Sequence, residues 1–147
     1  MKTILSTILL CAILLSGGCR SIRGKSDWYS GPEEYRGATE HAINNALAEL
    51  PREVGRPLKW DWSRNRVALN VIEPTHYVRG IPQLTRSDGL KAGGWANSSG
   101  RITVPRGFRM GTIRHEAGHV VLFANGFPDG NQHHQFPYFS RHTYQTH

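Results

Sequence analysis

Apolar side chains recur along this chain with two different periods, and the places where the period changes mark its elements. Between Pro32 and Pro51, residues Tyr35, Ala38, Ala42, Ala46, Leu47 and Leu50 return every three or four positions, which predicts one amphipathic helix. Pro32 suits its first turn, Glu33 and Glu34 its positive end, and Pro51 its stop. Leu58, Trp60 and Trp62 then alternate, as do Val67, Leu69 and Val71 before Pro74, and each run predicts a short strand. From Thr75 to Ser99 the signals are Ile81-Pro82, Asp88-Gly89, Gly93-Gly94 and Asn97 to Gly100, which read as loop. "RITVP" at 101–105 is one more strand. Met110, Ile113, Ala117, Val120, Val121 and Ala124 fall on one side of a last amphipathic helix over 108–124, ended by Asn125-Gly126. Gly111 and Gly118 weaken that helix by roughly 1 kcal/mol each relative to alanine, so burial has to compensate. The fold class is therefore α+β: a short twisted sheet with one backing helix, and a second helix beneath it. No internal repeat or low-complexity tract interrupts this plan.

The first residues follow another rule. Lys2 supplies a positive start and Ile4 to Leu15 an apolar run of secretory length, short of the roughly 20 residues a permanent span needs. "LLSGGC" then sets Ser16, Gly17 and Gly18 directly before Cys19. This resembles a bacterial lipoprotein signal, which implies cleavage before Cys19 and lipidation of that residue. The pattern departs from the family's in having Ser16 three places before the cysteine, with Leu15 one further back. Ser16 and Gly18 also fit a small-x-small site for the ordinary signal peptidase, so plain secretion is the alternative. The expected organisation is a signal peptide over 1–18, a polar tether over 19–31 and one domain over 32–147. Its place is the bacterial cell envelope, anchored to the membrane through Cys19 and facing the periplasm or exterior.

Cysteine and charge narrow the partners. With Cys11 removed in the signal, Cys19 is the only cysteine left, so no internal disulfide holds the domain. After loss of Lys2 the chain keeps 17 basic and 11 acidic residues, a balance of about +6 carried mostly by arginine. Such a surface suits anionic phospholipid or an acidic wall polymer. The arginines are scattered from Arg20 to Arg141, with no basic run longer than a pair, and nucleic acid is not an expected partner. A solvated cationic face is the plainest account of the charge. The chain is expected to act as a monomer.

Chemistry concentrates in "IRHEAGHVVLFANG", residues 113–126. His115 and His119 lie one turn apart on one side of the helix, a spacing at which two imidazoles reach a single ion. Glu116 is offset by about 100°, so it can reach the space in front of the metal rather than bind it. Such an ion acidifies a bound water and polarises a carbonyl, while a carboxylate moves the proton. His115-Glu116-Ala117-Gly118-His119 matches in full the HExxH pattern of the zincin metallopeptidases. "GGWANSSGRITVPRG" before it resembles that family's layout, in which a sheet edge strand borders the cleft ahead of the active-site helix. The resemblance implies a zinc site with Glu116 as general base.

A catalytic zinc takes three protein ligands and keeps one position open. The extended metzincin pattern would need glycine at 122 and histidine at 125, where this chain has Leu122 and Asn125. Gluzincins use a later glutamate, and none follows Glu116. "NGFPDGNQHHQF" turns the chain at Asn125-Gly126 and brings back two histidines. A loop of about eight residues spans roughly 26–29 Å, against about 9 Å from the helix end to His119. The third ligand is therefore His133 or His134, with two neighbours pointing oppositely and only one binding. The lean is to His133, and Asp129 is the alternative. Over residues 113–136 the chain also resembles SprT-like and related minimal zincins, which have a helix, a glycine-containing turn and a returning histidine. A loop pair with adventitious metal affinity is the competing account of "HH".

The remaining candidates carry less. Tyr138 or Tyr144 is a possible hydrogen-bond donor to a tetrahedral oxyanion, a task zincins often give to Tyr or His. His41 reads as packed or surface-exposed, His76 as lying just past a strand, and His142 and His147 as belonging to a polar end. Trp60, Trp62 and Trp95 are expected in the core or the cleft walls, and the 75–99 loop is expected to bound a shallow groove. The expected function is that of an exported zinc metallopeptidase acting on a polypeptide or cell-wall peptide. The alternatives are a non-catalytic metal-binding envelope lipoprotein and a cell-wall amidase.

Overall fold

The computed structural model describes residues 27–142, so the expected signal peptide, Cys19 and the last five residues, Tyr144 and His147 among them, lie outside the described part. The described part is α+β. In chain order it comprises β1 (Tyr29–Ser30), α1 (Arg36–Val54), β2 (Val67–Ile72), β3 (His76–Val78), β4 (Ile81–Thr85), β5 (Lys91–Ala92), β6 (Trp95–Ala96), β7 (Arg101–Pro105), α2 (Met110–Ala124), α3 (Gly130–His133) and α4 (Pro137–His142). A mixed sheet runs β1-β2-β7-β6, with β1–β2 and β2–β7 parallel and β6 antiparallel on the edge beside β7. Leu69 pairs with Ile102 and Val71 with Val104, so the apolar positions of β2 and β7 stand side by side. A second sheet, β3-β4-β5, is an antiparallel meander.

Several elements depart from the sequence expectation, each for a local reason. Trp28 and Tyr29, assigned to the tether, are 5% and 2% exposed, and β1 pairs with β2, so the core takes in residues before 32. Pro51 sits inside α1 and does not end it; a single 3-10 turn over Glu33–Tyr35 leads in, and the left-handed Gly55 (φ 72°) closes the helix. A proline four residues before the cap removes one N–H but leaves the last turn formed, with Gly55 N–H donating to Pro51 O at 3.1 Å. The run 58–62 is not a strand. Its backbone is clasped by Asn125, whose Oδ1 accepts Lys59 N–H at 2.8 Å and whose Nδ2 donates to Lys59 O at 2.9 Å. Trp62 packs edge-on against Trp28 at 4.7 Å and against Trp60 at 5.7 Å, which accounts for the apolar alternation without a sheet partner. The expected 75–99 loop holds β3 to β6, strands too short for periodicity to register.

Helix α2 is the centre of the core. Its spacing suggested one apolar face, yet Thr112, Ile113 and every residue from His115 to Leu122 are buried, while Met110 and Ala124 are exposed. A helix covered this fully must be enclosed on most sides. Its cover comes from α1, β6, β7, α3 and α4, and α1 contributes Ala42, Ile43, Ala46 and Leu50 to the same core cluster. Gly118 marks the closest approach: a Cβ there would run into the Tyr138 ring of α4 and lie 3.1 Å from Phe139. Gly118→Ala is therefore expected to destabilise the domain by about 1–3 kcal/mol through overpacking, against the roughly 1 kcal/mol gain that helix propensity alone would give. Chemical denaturation of the two proteins measures the sign.

Candidate metal centre

The site is built from the middle of α2 and the chain that returns over it. His115 and His119 are 9% and 6% exposed, and their Nε2 atoms lie 3.3 Å apart. Two nitrogens each about 2.05 Å from one tetrahedral ion stand about 3.3–3.4 Å from each other. One ring nitrogen of each of His115, His119 and His134 lies within 4.8 Å of the other two, making these three the metal-ligand cluster found among the described residues. The donor set, three imidazoles with no thiolate, fits a zinc-type ion with a position left open.

Of the two returning histidines, His134 groups with His115 and His119, whereas the sequence leaned to His133. Asp129 caps α3, its carboxylate accepting Asn131 N–H at 2.9 Å, and this short helix replaces the expected extended loop. Adjacent residues on a helical turn diverge by about 100°. His133 consequently turns inward, 1% exposed, and both of its nitrogens are engaged: Nε2 with Phe127 O at 2.9 Å and Nδ1 with His119 Nδ1 at 2.8 Å. His134 is exposed and faces the other two rings, with centroids 5.2 Å from His115 and 4.9 Å from His119. Asp129, the alternative ligand, is occupied as a cap. Tyr138 is fully buried and its hydroxyl donates to Arg114 O at 2.7 Å, which removes it as an oxyanion donor. His142 lies against Tyr138 with Nε2 3.7 Å from Glu49; His76 accompanies Thr75 at 2.9 Å; His41 is exposed on α1. None of these three joins the cluster.

Helix α4 supplies contacts that the sequence did not reveal. Its Phe139 carbonyl lies 3.3 Å from His115 Nδ1, and its Phe139 ring lies 4.4 Å from the His119 ring. Glu53 of α1 fixes this helix by accepting Tyr138 N–H at 2.8 Å and pairing with Arg141. The one signal in the chain was Gly118, a residue unfavourable in mid-helix that usually marks a close approach.

A cleft of about 440 Å³ opens over the three histidines. One wall is Ala92 to Ala96 with Arg86, the other is α2 and the start of α3, and Trp95 lines it while Trp60 and Trp62 do not. Glu116 faces this cleft although it is only 4% exposed. Comparison with protein-family models, curated proteins and solved structures finds no match to the chain.

Burial sets the charges. It lowers the His115 imidazole to about 4 and pushes His119 further down, so both rings are neutral and able to ligate well below pH 7. It raises the Glu116 carboxyl to about 8. Without a metal, the folded protein thus keeps a proton on Glu116 that the unfolded chain releases from pH 4.5 upward, and this residue's contribution to stability falls as pH rises from there to 8. Glu116→Gln carries no such proton. The metal-free variant is expected to match the wild type near pH 4.5 and to melt several degrees higher at pH 8. Thermal unfolding in chelator at the two pH values checks this, and identical pH slopes would contradict it.

Proposed function

We propose that the protein is a zinc-dependent hydrolase of peptide bonds, with His115, His119 and His134 as metal ligands and Glu116 as general base. One observation carries the reading: three imidazoles converge at the floor of a cleft into which a buried glutamate, next in sequence to the first of them, also opens. A zinc ion held there would supply acidified water and Lewis acidity toward a scissile carbonyl. Glu116 would take the proton from the attacking water and deliver it to the leaving amine nitrogen. Its desolvated position makes it a stronger base than an exposed carboxylate, and a purely structural site has no need of it. Strand β6 lies at the sheet edge beside the cleft, so an extended peptide could lie along it by strand addition. The fold reading that accompanies this is a minimal zincin. Export and attachment through a lipidated Cys19 complete the proposal, with a polypeptide of the envelope or cell wall as substrate.

Metal analysis and hydrolysis assays on the same samples test it. The wild type is expected to bind close to one zinc per chain and to cleave an unfolded, casein-like polypeptide. His134→Ala is expected to lose the metal. Glu116→Gln is expected to keep the metal and lose at least about 100-fold in rate. Undiminished hydrolysis by Glu116→Gln overturns its role. Cleavage of purified peptidoglycan alone would instead favour a wall amidase, and zinc binding without hydrolysis of either substrate a non-catalytic metal-binding lipoprotein.

A further inference from the structure

The first histidine of the returning pair, His133, sits on the far side of His119 from the cleft. Three contacts in series fix what it does there. Phe127 O, a carbonyl, can only accept, so the 2.9 Å contact requires His133 Nε2 to carry a proton and donate it. A neutral imidazole has one N–H; His133 is 1% exposed and desolvated in the core, and with its proton on Nε2 its Nδ1 presents a lone pair. The 2.8 Å Nδ1···Nδ1 contact then requires His119 Nδ1 to be the donor. His119 Nε2 is consequently left bare. The Phe139 carbonyl asks the same of His115 through Nδ1 at 3.3 Å. Two Nε2 atoms 3.3 Å apart that both lack a proton do not hydrogen-bond to each other, and a cation between them would relieve the contact.

We propose that His133 is a positioning residue that accepts the Nδ1–H of His119, locks that ring in the tautomer whose Nε2 faces the cleft, and transmits the polarity of the Phe127 carbonyl to it. The tandem His133-His134 thereby divides its labour: one ring reaches the metal and the other holds the ring of a second ligand from behind. This rests on the metal-site reading above. Ligating histidines commonly donate their second nitrogen to a carboxylate or carbonyl; here a histidine stands in that place and passes the demand on to a carbonyl one step further away. Phe123 and Phe139 flank His133, with ring centroids at 4.8 and 6.1 Å, and keep water from competing for the link.

The test uses the whole protein and zinc alone, with chelator competition as readout. His133→Phe, which fills the space without an acceptor, is expected to raise the zinc dissociation constant about 10–100-fold. His133→Gln, which keeps an acceptor oxygen, is expected to bind more tightly than His133→Phe. Long-range proton–nitrogen NMR on the zinc-loaded wild type is expected to show Nδ1–H on His119 and Nε2–H on His133, a measurement that does not depend on a variant folding. Wild-type affinity in a folded His133→Phe, or a proton on His133 Nδ1, overturns the assignment while leaving the metal site standing. Failure of the wild type to bind zinc overturns the site reading and this inference with it.

Discussion

Helix α2 has ten of its fifteen residues buried, and among them are two histidines and a glutamate that would each prefer water. Charging any of them inside the core costs several kcal/mol unless a partner compensates. The surroundings answer by holding the imidazoles neutral and giving each Nδ1 a partner, the Phe139 carbonyl for His115 and the His133 ring for His119. Facing the cleft are two Nε2 atoms at chelating distance and one desolvated carboxyl. The rest of the architecture follows from the need to enclose this helix on most sides while leaving that single opening.

Each neighbour of α2 has a share in that enclosure. Gly118 lets α4 come close enough for Phe139 to touch the rings of both His115 and His119, and Glu53 and Arg141 tie α4 back to α1. At the other end Asn125 fastens the end of α2 to the 58–62 segment, and Asp129 starts the short helix that presents His133 and His134 on diverging sides. The cleft's outer wall is the β5–β6 region, brought there by the pairing of β6 with β7.

How much of this was legible depended on the range of the interaction that decides it. Residues His115, Glu116 and His119 were readable because one turn of helix fixes their relation whatever surrounds them. Both long helices, β2 and β7 were readable from period. The choice between His133 and His134 was not, since it turns on whether the return is extended or helical, and a four-residue helix leaves no periodic trace. Trp60 and Trp62 misled because alternation records burial on one side, which a side-chain clasp from Asn125 provides as well as a sheet does. Pro51 misled because a proline in a last turn costs one hydrogen bond that tertiary packing can offset. The strands β3 to β6 were hidden by turn residues that their short hairpins require. Among the described residues, no helix is long and apolar enough to cross a membrane.

The central claim is that one cation is held by three imidazoles and no other protein donor. X-ray absorption at the zinc edge of the loaded protein tests it most directly. The account expects three imidazole nitrogens at about 2.0–2.1 Å with one further light atom completing a tetrahedron. A shell with fewer than three imidazoles, or one containing sulfur, would contradict it.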